Sequence, residues 1–212
     1  MELINQKIAE LAGIFAGDGT LYKTNRSFVM EIRGNKEELP YYFHIKTLVE
    51  SVFEKPVKII KRTHENKKYL VGIRVCGKKV YQLFHITLNF PVGKKAHKVK
   101  VPPLILNSPN LWKYYIRGIF DSDGSIYVRK SGKNKKYFQP IIDISSVSNI
   151  HLIQLKRMLK VLGFNFWMER NKIRIAGWKN VEKFFKEIKP KNNVKLKRYN
   201  EIIKLKSKAG VA

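Results

Sequence analysis

Two similar stretches decide the fold of this chain: LAGIFAGDGT at residues 11–20 and IRGIFDSDGS at residues 116–125. Both contain a glycine, an Ile-Phe pair and an Asp-Gly pair at the same spacing, and about half the chain separates them. A repeat of this period predicts two copies of one structural unit joined in a single polypeptide.

Hydrophobic patterns extend the repeat over most of the chain. Each stretch has apolar residues at helical spacing and precedes two segments with period-two alternation, a helix, two further strands and a last helix. We therefore predict an α+β fold of two pseudo-symmetric αββαββα units, each an antiparallel four-stranded sheet with helices on one face, packed through the two motif helices. The hairpin turns are predicted at THENKK (63–68) and SGKNKK (131–136). The predicted boundaries are 1–90 for the first unit, 91–109 for a linker with several prolines, and 110–212 for the second unit with a basic C-terminal helix.

The charge of the chain favours a nucleic acid as its partner. There are 43 Lys and Arg residues against 16 Asp and Glu, a formal net charge of +27, so the basic surface cannot be balanced by ion pairs. No apolar run is long enough for a membrane span, and the N-terminus lacks a secretory pattern, so we expect a cytoplasmic protein without a membrane partner. The single cysteine and the scattered histidines do not predict a disulfide or a zinc site.

Three of the four aspartates, Asp18, Asp121 and Asp123, lie in the repeated stretches. Small residues at a four-residue spacing allow two helix backbones to approach closely, which would bring Asp18 and Asp123 together at the helix C-terminal ends. Each carboxylate would then face both a negative helix end and the other carboxylate, and a divalent cation would remove both penalties. Hard oxygen ligands favour Mg²⁺. The residues predicted at the helix contact are Ala12, Gly13, Ala16, Gly17, Gly118 and Ser122.

LAGIFAGDG and IRGIFDSDG resemble the two copies of the LAGLIDADG motif in monomeric homing endonucleases, and the resemblance covers nearly the whole chain. It implies a monomer that binds double-stranded DNA and cuts both strands of a long asymmetric site with Mg²⁺, leaving short 3′ overhangs. Mn²⁺ is expected to substitute for Mg²⁺. The initial methionine and the absence of a terminal His-Asn favour a freestanding, intron-type protein over an intein.

The resemblance also implies roles for individual residues. Asp18 and Asp123 would be catalytic metal ligands, with the preceding Gly17 and Ser122 included in the metal site. Asp121, for which the first copy has Ala16, is expected to be structural or a weak electrostatic helper.

The family has one basic residue in each unit that organises water near the scissile phosphate. The segment FPVGKKAHKVKVPP selects Lys95, and IKPKNNVKLKR selects Lys195 in preference to Lys191. A polar residue that ends the second strand often joins this site. The matching positions are Gly34 and Ser146, so the first unit lacks that side chain.

The strand faces opposite the apolar ones are predicted to contact DNA. Arginines there would recognise guanine and acids would accept a hydrogen bond from cytosine. The predicted residues are Tyr22, Thr24, Glu31, Arg33, Arg74, Tyr127, Arg129, Asp143, Ser145 and Arg174.

Two other functions remain open at this point. A protein of this family can act as an RNA maturase that assists splicing of its intron RNA, or it can be a catalytically silent nucleic-acid-binding member of the same fold. A basic RNA-binding protein of another class would explain the charge but not the doubled, acid-tipped helix.

Overall fold

A computed structural model describes residues 4–63, 69–131 and 137–208, so most of the two predicted hairpin turns lies outside the described residues. The chain forms two similar halves, and the predicted α+β order of elements is confirmed. The first half contains α1 (Gln6–Asp18), β1 (Gly19–Lys23), β2 (Phe28–Asn35), α2 (Leu39–Phe53), β3 (Ile59–Thr63), β4 (Tyr69–Cys76) and α3 (Lys78–Tyr81), which continues as a π-helical segment over Gln82–Thr87. The connection contains α4 (Pro103–Leu106). The second half contains α5 (Trp112–Asp123), β5 (Gly124–Ser131), β6 (Tyr137–Ser145), α6 (Asn149–Val161), β7 (Trp167–Glu169), β8 (Lys172–Ala176), α7 (Trp178–Ile188) and α8 (Asn193–Lys208).

The motif helices α1 and α5 end at equivalent glycines. The Gly19 N–H donates a hydrogen bond to the Phe15 carbonyl, and the Gly124 N–H donates to that of Phe120. Neither glycine has a positive φ. Both positions lack room for a side chain: a Cβ on Gly19 would overlap the ring of Phe15 and lie 2.6 Å from its carbonyl oxygen. The chain therefore passes directly from each motif helix into the first strand of its sheet.

The motif helices pack on each other through glycine. A Cβ on Gly13 would overlap the carbonyl oxygen of Tyr115 and lie 3.0 Å from the Cα of Gly118. A Cβ on Gly118 would overlap the carbonyl oxygen of Glu10 and lie 2.6 Å from the amide nitrogen of Ile14. These are backbone-to-backbone contacts, so the two helices approach as closely as the absence of side chains permits.

Each half contains one antiparallel sheet, with strand order β1-β2-β4-β3 in the first and β5-β6-β8-β7 in the second. Residues that pair across strands lie on the same face. One face carries buried apolar residues, for example Leu21 opposite Met30, which pairs with Val75. The opposite face carries the polar residues and is left free by the helices.

One hydrophobic core runs through both halves. The C-terminal helix α8 joins it through Ile202, which is fully buried, and through Tyr199, whose ring stacks on Phe185 with centroids 3.8 Å apart. None of the helices in the described part of the chain is long and apolar enough to cross a membrane.

Candidate catalytic centre

Asp18 and Asp123 are the last residues of α1 and α5, and the packing of these helices brings the two carboxylates to the same place. A Cβ on Gly17 would lie 2.6 Å from the Cβ of Ser122 and 3.1 Å from the Asp123 carboxylate, so the helix ends are in contact. Burial and the neighbouring Asp123 and Glu38 raise the pKa of Asp18 to about 7. Partial desolvation also raises the pKa of Asp123, although its side chain still reaches solvent. Lys95 and Lys195 lower both pKa values, but they do not cancel the effect of burial.

Two lysines bind the carbonyls at these helix ends. The Lys95 ammonium donates hydrogen bonds to the carbonyl oxygens of Ala16 and Gly17 at 2.6 and 2.7 Å. The Lys195 ammonium donates to those of Phe120, Asp121 and Ser122 at 2.5, 2.7 and 3.0 Å. Burial lowers the pKa of both lysines, and the nearby carboxylates oppose that change. Each half thus contributes one aspartate and one lysine at the C-terminal end of its motif helix, where cations are favoured.

Asp121 points away from this centre, as expected from its position on α5. Its carboxylate accepts hydrogen bonds from the backbone N–H groups of Lys191 and Asn192, at 2.7 and 3.2 Å. Burial raises the pKa of Asp121 to about 6, and the two N–H donors oppose that shift. Asp121 therefore fixes the segment that leads into α8, on which Lys195 lies, whereas Lys191 contributes only its backbone to this contact.

Comparisons with known proteins identify similar folds. Residues 112–204 match the model of the LAGLIDADG-like domain. The second half of the chain thus resembles a LAGLIDADG-like domain. Its fold aligns with the I-LtrWI LAGLIDADG homing endonuclease bound to target DNA (TM-score 0.61, 12% identity, 95% of this chain and 90% of that one). It also aligns with I-DmoI in complex with DNA and Mn (0.59, 20%, 86% and 96%) and with the homing endonuclease I-WcaI bound to its DNA recognition sequence (0.58, 18%, 92% and 88%).

Two proteins of Methanocaldococcus jannaschii are similar in sequence. The uncharacterized protein MJ0314 is 23% identical over 176 residues, which are 82% of this chain and 62% of that protein. The probable translation initiation factor IF-2 is 26% identical over 121 residues, which are 57% of this chain and 9% of that protein. The chain thus spans less than two thirds of the length of either relative.

The Lys195 side of the centre contains a third carboxylate, Glu38, which the sequence did not predict. A Cβ on Gly34 would lie 2.6 Å from Glu38 Oε2 and 2.8 Å from the Tyr42 hydroxyl, so the missing side chain of Gly34 leaves room for both. Glu38 accepts hydrogen bonds from the Asn35 N–H at 3.0 Å and from the Asn192 side-chain amide at 2.7 Å. The Tyr42 hydroxyl is buried and finds no hydrogen-bond partner among the described residues. In the sequence, Glu38 lies three residues after the exposed Asn35, and this pattern predicts only a helix cap and no role in the centre.

The Lys95 side has a different, more open form. A cleft of about 850 Å³ is lined by Asp18, Asp123 and Lys95, and by Ser146 and Asn171 of the second half. The Ser146 hydroxyl accepts a hydrogen bond from the Ser148 N–H at 3.2 Å. The predicted polar side chain is therefore at the edge of this side of the site, and its role stays a prediction.

The register places nine of the ten predicted DNA-contacting residues on the outer faces of the sheets. Thr24 does not lie on a strand. It follows β1 in the hairpin turn, where its hydroxyl donates to the Ser27 carbonyl at 2.9 Å. Glu31 and Asp143 are on the expected face but are buried, with 6% and 2% of their surface exposed. Contact with DNA stays a prediction for all ten residues.

Proposed function

We propose that this chain is a site-specific DNA endonuclease that acts as a monomer, cuts both strands of a long target with Mg²⁺ or Mn²⁺, and leaves short 3′ overhangs. The observation that carries the proposal is the pairing of Asp18 and Asp123 at the ends of two packed helices, each with a lysine on the adjacent carbonyls. A single-strand binder or structural protein would gain nothing from two carboxylates held together on a chain with net charge +27.

The donor atoms at the centre fit a hard divalent cation. Asp18 and Asp123 would hold it, together with the carbonyl oxygens of Gly17 and Ser122, and all of these ligands are oxygens. Among the described residues there is no cluster of three or more His, Cys, Asp or Glu side chains that could enclose a metal, so water and DNA phosphate oxygens would complete the coordination. When bound, the cation supplies a Lewis acid for phosphodiester hydrolysis. The I-DmoI structure in complex with DNA and Mn supports the use of a divalent cation.

The remaining parts of the proposal follow from charge. Lys95 and Lys195 hold positive charge beside the two aspartates, where the charge on the scissile phosphates increases during hydrolysis. The two outer sheet faces flank this centre and provide the polar surface on which a long duplex can lie. The I-WcaI and I-LtrWI structures, both bound to DNA, support DNA as the partner.

The test is a cleavage selection from a DNA library, followed by mapping of the cut ends. We expect the purified protein to cut the selected site with Mg²⁺ and to leave it intact with EDTA. The double variant Asp18→Asn/Asp123→Asn should bind the site and not cut it, whereas Glu54→Gln, an exposed acid after α2, should cut normally.

Three outcomes would contradict the proposal in different ways. Cleavage by the double aspartate variant at the native rate would show that the metal assignment is wrong. Specific binding without cleavage in Mg²⁺ or Mn²⁺ would identify a silent DNA-binding member of the family. Preferential binding of host intron RNA in competition with the DNA would favour the maturase function.

A further inference from the structure

The outer face of each sheet contains one buried carboxylate, Glu31 in β2 and Asp143 in β6. The two acids occupy equivalent positions in the two halves, because each lies in the second strand and pairs on both sides with corresponding residues. Glu31 pairs with Thr20 of β1 and Arg74 of β4, and Asp143 pairs with Ser125 of β5 and Arg174 of β8.

The side chains around the two acids are also alike. The Tyr22 hydroxyl donates a hydrogen bond to Glu31 at 3.2 Å, and the Tyr127 hydroxyl lies 3.4 Å from Asp143. Tyr22 and Tyr127 are themselves equivalent, since each lies four residues after its motif aspartate. Each half thus has a carboxylate, a tyrosine and an arginine of the fourth strand together on its outer face, which we call the carboxylate clusters.

In the second half the acid holds the arginine directly. Arg174 Nε donates to Asp143 at 3.0 Å, and Arg174 Nη1 donates to Glu169. Nη2 has no hydrogen-bond partner among the described residues, so it can donate outward. In the first half Glu31 accepts from Arg33 Nη2 at 2.7 Å, and Arg74 lies directly across the strand pair and is exposed.

Burying a carboxylate costs free energy, and it also weakens a surface that binds a polyanion. Both costs are offset when the carboxylate fixes a guanidinium, because an arginine held by its neighbours loses less side-chain entropy on binding. Buried acids that already accept hydrogen bonds are not placed to accept one from cytosine. They are placed to orient the adjacent arginines, whose planar fork matches the O6 and N7 acceptors of guanine.

We propose that the two carboxylate clusters are equivalent recognition units, and that the target DNA has a guanine at two positions mirrored about the cleavage centre. Arg74 and Arg174 are the specificity-determining residues. Asp143 is the positioning residue of Arg174, which it binds directly, whereas Glu31 holds Arg33 on the outer face directly across the strand pair from Arg74. The mirror relation follows from the strand register. Thr20, which pairs with Glu31, lies two residues after Asp18, and Ser125, which pairs with Asp143, lies two residues after Asp123. The inference rests on the proposed binding of DNA but does not require cleavage.

The test is a binding selection from a randomised duplex library, made with the Asp18→Asn/Asp123→Asn protein so that cleavage has no part in it. We expect enrichment of guanine at two mirrored positions, with a preference of about tenfold or more at each. Arg74→Lys and Arg174→Lys should each remove the preference in one half-site only, because lysine lacks the planar fork. Arg157→Lys is the matched control, since Arg157 is exposed on α6, away from the sheet faces.

Positioning is tested with Asp143→Asn. This variant keeps Arg174 and removes a negative charge, so we expect unchanged or tighter binding to random DNA together with loss of the guanine preference in its half-site. A merely structural role would instead weaken binding to all sequences alike, and that result would overturn the positioning role.

The result also separates this inference from the proposed function. A defined target without guanine at mirrored positions would overturn the recognition units and leave a site-specific DNA-binding protein. Failure to select any DNA sequence would overturn both.

Discussion

The crossing of α1 and α5 leaves no room for a side chain at Gly13, so Gly13→Ala is expected to destabilise the protein by about 2 kcal/mol. The added Cβ would overlap the Tyr115 carbonyl oxygen and lie 3.0 Å from both Gly118 Cα and Ile119 N. All three atoms are backbone, so no side-chain rotation can make room, and overpacking of this kind costs about 3 kcal/mol. Alanine recovers about 1 kcal/mol through its better helix propensity.

Urea unfolding followed by tryptophan fluorescence measures this change, because Trp112 lies at the start of α5 and is buried. Gly118→Ala is the equivalent variant on α5, since its Cβ would overlap the Glu10 carbonyl oxygen of α1. The double variant should be less destabilised than the sum of the two, because separation of the helices by one methyl group makes room for the other. If Gly13→Ala is as stable as the native protein or more stable, the helices are not in the contact described, and only the propensity gain remains.

Three further predictions concern buried polar groups. Arg117 Nη1 donates to the buried Glu10 at 2.8 Å, so Arg117→Met should lower the free energy of unfolding, measured in urea, by about 3 kcal/mol. The double variant Arg117→Met/Glu10→Gln should recover part of that loss. Equal stability of the single and double variants would contradict this role of the ion pair. Burial lowers the pKa of His151 to about 4 from about 6.5 in the unfolded chain, so the unfolded state binds more protons below pH 6.5 and stability falls as pH decreases to 4. The native protein should lose about 2 to 3 kcal/mol more than His151→Gln between pH 7.5 and 4.5, and parallel losses would refute the shift. Glu38→Gln should slow cleavage of one DNA strand more than the other, because Glu38 lies on the Lys195 side of the centre. The control variant Glu37→Gln, at the neighbouring exposed residue, should leave the cleavage rates of both strands unchanged. Equal slowing of both strands by Glu38→Gln would argue against a local role of Glu38.

The fold was predictable from the sequence because each element has its own local signal. Helical spacing of apolar residues marks α1 and α5, and period-two alternation marks the strands, so the predicted order of elements agrees with the structure. The close helix crossing was predictable for a different reason. Glycine at Gly13 and again at Gly118 is costly in a helix unless another backbone requires the space.

The parts of the centre that were missed depend on contacts between distant segments. Glu38 reaches the site only because Gly34 has no side chain and because Asn192, far away in sequence, donates to it. Strand alternation placed Glu31 and Asp143 on the correct face, but it carries no information on how deeply neighbouring arginine and tyrosine side chains would cover them. Thr24 was misplaced because the strand ends one residue earlier, at a turn that its own hydroxyl stabilises.

The two halves of the centre have the same chemistry but different scaffolds. Lys95 lies on a loop that is tied to β1 by the Gly93 N–H, which donates to the Leu21 carbonyl at 2.7 Å. Lys195 lies instead at the start of α8, and the segment before it is fixed by Asp121, for which the first motif has only Ala16. The two halves therefore have in common a lysine ammonium group at the end of the motif helix, but a different kind of segment supplies it in each half. Lys95 can therefore be recognised from the segment that surrounds it. The position of Lys195 is understood only from the contact of Asp121 with the segment before α8.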